Sequence, residues 1–214
     1  MASPENSQTI GPPVLVSLIP ALRALCNLLK VSQTPGMIIG AVAASLRGQA
    51  RATEDVDASV ALDEGALDRF LELACAEGLR PRIPDAVVFA KKSAVLLLEH
   101  EPSRVGVDIT IGRLLFEREA IGRAQDVVIH DMRVPVATPE DLVIMKAVAH
   151  RPQDLQDIRA IIIANPSLDV ARIRAYVGEF ARALDMPELW TDVEALLSRA
   201  KKPRKPTRRK RLKE

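Results

Sequence analysis

The run Arg51-Ala52-Thr53-Glu54-Asp55-Val56-Asp57 sets two aspartates one residue apart, just ahead of the apolar stretch Ala58-Ser59-Val60-Ala61. Side chains on a strand alternate faces at about 3.3 Å per residue, so Asp55 and Asp57 would point the same way, about 7 Å apart. Such a pair can hold a hard divalent cation such as Mg²⁺, which takes one or two carboxylates and leaves positions for phosphate oxygens. A third candidate is Asp108, in Val105-Gly106-Val107-Asp108-Ile109-Thr110-Ile111. Valine and isoleucine take one face of that run, while Gly106, Asp108 and Thr110 take the other. If the two strands are neighbours, the three carboxylates converge. Their mutual repulsion then favours either protonation or a cation. The plain alternative is that the polar face of a half-exposed sheet carries acids anyway.

Other residues suggest phosphate chemistry less directly. Gly40-Ala41 closes the apolar run Gly36-Met37-Ile38-Ile39 and opens a helix. A glycine there lets backbone approach a ligand, and a helix start offers free N–H groups. Lys146 has apolar helical neighbours, Leu142, Val143 and Ala149, so its ammonium must snorkel or meet a buried anion. Asp154 and Asp157 lie one turn apart on the next helix, positioned to pair with Lys146 or Arg159. The glycine fingerprints of dinucleotide-binding and P-loop proteins are both missing. His100, His130 and His150 show no zinc-ligand spacing with each other or with Cys26 and Cys75, and no nucleophile motif of a covalent hydrolase occurs.

The elements that must position these residues follow from periodicity. Helices are predicted over Pro13–Lys30, with Pro20 limiting the first turns, over Ala41–Leu46 and over Leu67–Glu77, the last closed by Gly78. Strands are predicted at Gly36–Gly40, Asp57–Leu62, Ala86–Ala90, Ala94–Glu99 and Val105–Ile111. A helix over Phe116–Ala124 precedes a hairpin of Val127–Ile129 and Val134–Val136. Thr138-Pro139-Glu140-Asp141 is a helix start, with threonine as N-cap, proline first and acids on the dipole. A helix over Gln153–Ile163 and two amphipathic helices finish the chain, one striped by Ile173, Tyr176, Val177, Phe180 and Leu184 and the other by Leu189, Val193, Leu196 and Leu197. The reading is an α+β fold: a mixed sheet flanked by helices over 13–165, with a helical region over 166–200.

Composition narrows the function classes. Aromatics are 3% of 214 residues, which argues against base-stacking modules. The start of the chain lacks the basic n-region of a secretory signal, and its longest apolar run is broken at Pro35-Gly36, so a cytoplasmic protein without a membrane span is expected. Charge is polarised. Residues 201–214 hold nine Lys/Arg and one Glu, which leaves 21 basic and 27 acidic residues in the remainder. Such a block is expected to be a disordered cationic arm, either solubilising or attracted to nucleic-acid phosphate; residues 1–12 are expected to form a loose arm of their own.

Taken in order, these motifs resemble the nucleotidyltransferase superfamily of polymerase-β-type fold, and within it the AbiEii-like toxins of bacterial toxin–antitoxin systems. The likeness runs from Pro35 to Ala164. It rests on Gly40-Ala41, on Arg51-x-Thr53-x-Asp55-x-Asp57, on Asp108, on Pro139-Glu140-Asp141-Leu142 with Lys146, and on Asp154-Leu155-Gln156-Asp157. The resemblance implies that Asp55, Asp57 and Asp108 ligate Mg²⁺, or Mn²⁺ in its place, with Asp108 also helping to deprotonate the attacking hydroxyl. It implies that Gly40 and Ala41 present N–H groups to an NTP, that Arg51 or Lys146 neutralises phosphate charge, and that Asp157 orients Lys146 or contacts the nucleotide. RNA, tRNA among it, or protein is the implied acceptor, with an antitoxin as a further partner. Ala41 departs from the serine that much of the superfamily has there; backbone donors or the Thr53 hydroxyl would have to serve instead. Two other readings compete: a catalytically idle nucleotide- or RNA-binding module, and an interaction scaffold built on the C-terminal helices, for which Asp55 and Asp57 would be dispensable.

Overall fold

A computed structural model describes residues 13–200. After a 3₁₀ stretch, Pro13–Leu18, helix α1 (Ile19–Val31) sinks Leu22, Leu25 and Leu28 into the core. Strand β1 (Gly36–Ile38) leads through Ile39 into α2 (Gly40–Arg47), and β2 (Asp55–Val60) follows. Next come α3 (Leu67–Ala76), β3 (Leu79–Pro81), α4 (Ala86–Ser93), β4 (Val95–His100) and β5 (Val105–Ile111). Helix α5 (Leu115–Gly122) precedes the hairpin β6 (Gln125–Ile129) and β7 (Met132–Val136). Four helices close the described chain: α6 (Pro139–Ala149), α7 (Pro152–Ala164), α8 (Val170–Ala183) and α9 (Glu188–Ala200). The expected mixed α+β architecture is what the chain adopts.

The seven strands form one mixed sheet in the order β3-β4-β5-β2-β1-β7-β6. Its centre is the parallel pair β2/β5, which aligns Asp55 with Gly106, Asp57 with Asp108 and Ser59 with Thr110. Burial alternates along β5, where Val105, Val107, Ile109 and Ile111 are buried and the residues between are half-exposed. Leu96, Leu98 and His100 of β4 share the buried side. Helix α1 packs on β3, β4, β5 and α3, while α6 packs on α7 and α8, and α7 on α9, so the helices on either side of residue 165 share contacts.

One expected strand is corrected. Ala86–Ala90 lies in helix α4, with Ala86 and Ala90 buried one turn apart and Val88 and Phe89 outside. A five-residue apolar run fits either period, and here i,i+4 burial won. The short edge strand β3 has no counterpart among the expected elements; it contains Pro81, which a sheet tolerates at an edge. The expected arms over 1–12 and 201–214 lie outside the described residues.

Candidate active site

Each aspartate is placed by the alternation of its own strand. Val56 and Ala58 are fully buried, which turns Asp55 and Asp57 to the other side of β2. Asp108 is turned the same way by Val107 and Ile109. Because β2 and β5 pair in register, Asp57 and Asp108 are direct neighbours, and Asp55 sits beside Gly106, which has no side chain. All three line one cleft of about 440 Å³ with Gly40, Ala41 and Lys146.

Gly40 is indispensable to this geometry. Its φ is +63°, and a Cβ built on it would lie 1.9 Å from Asp57 Oδ2. No other residue type could occupy that turn with Asp57 where it is. Desolvation, followed by the charges of Asp55 and Asp108, raises the Asp57 pKa above the ordinary aspartate value; the Ala41 backbone N–H and the Lys146 charge oppose the rise. Burial also raises Asp108, against the pull of the Arg82 guanidinium, which is hydrogen-bonded to it. Thr53 donates its hydroxyl to Asp55 Oδ1 at 3.1 Å. It is therefore engaged with the aspartate pair and not with the Gly40 turn.

The opposite wall is a charge network supplied by α6 and α7. Lys146 is buried and donates to Asp154 Oδ1 at 3.2 Å and to Asp157 Oδ2 at 2.7 Å. Arg51 grips Asp157 through two bonds of 3.0 and 3.1 Å. Arg151 binds Asp154 at 2.6 Å and 3.2 Å while staying exposed at the rim. Burial pushes both aspartates up, yet the guanidinium and ammonium groups outweigh it and both sit below the ordinary value. The buried anion that Lys146 required is thus this pair of carboxylates, with Lys146 and not Arg159 as their partner. Asp154 pairs with Lys146 as its spacing suggested, whereas Arg151 and Arg82 have no counterpart among the expected site residues. Arg151 could have been suspected from its place just before Pro152 at a helix start, but nothing in sequence spacing links Arg82 to Asp108, 26 positions away.

Among the described residues no three His, Cys, Asp or Glu side chains form a ready cation site by themselves. The donor set nevertheless suits Mg²⁺ or Mn²⁺: hard carboxylate oxygens gathered on one face of β2 and β5, beside a turn able to admit phosphate oxygens. Asp108 would join such a site by exchanging its Arg82 partner for the ion.

Residues 39–213 match the family model described as "Nucleotidyl transferase AbiEii toxin, Type IV TA system". The chain belongs to the AbiEii nucleotidyltransferase family. It is accordingly a transferase, and the family match begins one residue before Gly40 and takes in the whole cleft. No curated protein matches the sequence. Among solved structures, the antibiotic-resistance factor ANT(2'')-Ia aligns with a TM-score of 0.55 at 15% identity, covering 82% of this chain and 97% of that one. An antigenic nucleotidyltransferase-like protein from Paracoccidioides brasiliensis aligns with a TM-score of 0.50 at 15% identity, covering 87% and 94%. At such identities these likenesses speak for the fold of this AbiEii-family member. Among the described residues no helix is long and apolar enough to cross a membrane.

Proposed function

We propose that the protein transfers a nucleoside monophosphate from an NTP to a hydroxyl group of RNA, with a divalent cation, Mg²⁺ or Mn²⁺, held by Asp55, Asp57 and Asp108. The observation that carries this reading is the in-register pairing of Asp57 with Asp108 opposite the Gly40 turn. Three carboxylates around one cleft repel a triphosphate, and that repulsion is lifted only when cations accompany the nucleotide. The cation would supply charge neutralisation at the attacking and leaving oxygens. Gly40 and Ala41 would turn backbone N–H groups toward the phosphates. Lys146 and Arg51, held by Asp157, would present a fixed positive wall to the departing pyrophosphate. The acceptor oxygen bonds to the α-phosphorus as the bridge from that phosphorus to the β-phosphate breaks. The acceptor proton would pass to Asp108. The toxin–antitoxin setting of the family supports an antitoxin partner, and cytoplasmic action would follow from an RNA target.

A second reading keeps the cleft and drops turnover. It is favoured by Ala41, which has no hydroxyl for a phosphate, and by Thr53, whose hydroxyl is spent on Asp55. Incubation with each α-³²P-labelled NTP, Mg²⁺, bacterial RNA and lysate protein separates the two. Wild type should label RNA, and Asp57→Ala should lose on the order of 10³-fold or more of that activity, as expected for removal of a principal electrostatic group. NTP binding without label transfer would establish the idle module, and label on protein alone would overturn the RNA acceptor.

A further inference from the structure

Strand order divides the site into two sides. The Gly40 turn follows β1, on one flank of β2, with the Lys146–Arg51 network above it. On the other flank lie β5, then β4, then β3, and beyond the end of β3 comes Arg82, whose N–H bonds the Leu97 carbonyl at 3.0 Å. Strand register maps the open face there residue by residue. One row across the strands reads Arg80, Glu99, Gly106, Asp55, and the next reads Arg82, Leu97, Asp108, Asp57. Leu97, Gly106 and Thr110 are half-exposed, so this part of the sheet is a shelf that adjoins the cleft.

In-line displacement needs the attacking hydroxyl on the side of the phosphorus away from the pyrophosphate. On the function proposed above, the donor phosphates lie toward Gly40 and Lys146, which leaves the β5–β4 shelf for the acceptor. We infer that this shelf is the RNA acceptor site and that Arg82 is its positioning residue, gripping a backbone phosphate of the strand that offers the hydroxyl. The guanidinium is exposed and is aligned with Asp108 across Leu97. A cation held by Asp108 would free Arg82 beside the acceptor. Gly106 keeps the floor between Asp55 and Arg82 low, since a Cβ there would lie 3.6 Å from each. Arg80 and Arg104, both exposed, lie beyond it in ion pairs with Glu101 and Glu99, so the margin of the shelf carries mixed charge.

The inference rests on the nucleotidyltransferase reading, but its test does not require turnover. Binding of fluorescein-labelled bulk tRNA is followed by anisotropy with the full chain, Mg²⁺ and a non-hydrolysable NTP, at salt from about 50 to 200 mM. Arg82→Ala should weaken binding about 10-fold at low salt and lower the slope of log K against log salt by about 0.7 to 1, the share of one phosphate contact. Arg82→Lys should restore the slope, and neither variant should bind NTP more weakly than wild type. An unchanged slope in Arg82→Ala, or a loss of NTP binding with RNA binding intact, overturns the assignment. A protein that binds RNA with the expected Arg82 dependence yet labels nothing leaves the shelf standing and defeats the transferase reading alone.

Discussion

At the scale of single residues, the site is a conflict held in place by packing. Asp57 has its pKa raised by burial first and then by Asp55 and Asp108. The folded state therefore binds its proton more tightly than the unfolded chain does. Stability attributable to this group is full below the unfolded value near 4 and is lost as pH rises toward the folded value. Asp154 and Asp157 run the other way. Their depressed values mean stability that is present above the unfolded pKa and lost as acid protonates them. Asp57→Asn should accordingly raise the melting temperature in metal-free buffer at neutral pH by a few degrees, the scale of about 1 kcal/mol in a domain of this size. Added Mg²⁺ should raise the melting temperature of wild type but not of the variant. A wild type insensitive to Mg²⁺ in scanning calorimetry would remove the cation site from these aspartates. The sequence already exposed this conflict, because alternation within β2 and β5 fixed which way the carboxylates face. It could not expose Arg82, whose partner is chosen by strand register.

At the scale of elements, everything converges on the link between β1 and α2. Strand β1 is three residues long, and its extension Ile39 donates to the Asp57 carbonyl at 2.9 Å. The turn at Gly40 then passes directly behind the Asp57 side chain. Gly40→Ala would place a methyl group where Asp57 sits and strain a left-handed backbone. A stability loss of about 1 to 3 kcal/mol is expected, with NTP binding reduced more than tenfold, read by chemical denaturation and nucleotide titration. A variant that keeps both would show that Asp57 can move away freely. Helix ends and long amphipathic helices were legible in the sequence: the Thr138 cap accepts from the Asp141 N–H as its position suggested. The misread element, α4, is eight residues with a five-residue apolar run, too short for period to decide between helix and strand.

At the scale of the whole molecule, charge and chain order matter most. The nine cations of residues 201–214 contrast with an otherwise acidic chain. Deleting that segment should weaken RNA binding and flatten its salt dependence while leaving NTP affinity unchanged, a result filter binding can read; an unaltered salt slope would assign the segment to solubility. Chain order constrains something else. Arg51 finds its carboxylate partner 106 residues later, in α7, and Lys146 depends on the same helix. A ribosome translating this message has therefore made both aspartate strands, the glycine turn and the lysine before the clasp that fixes the cations exists. Fragments released early, from a broken transcript or a stalled ribosome, carry the carboxylates without the wall that faces them. On the function proposed above, activity would therefore have to await the synthesis of α7.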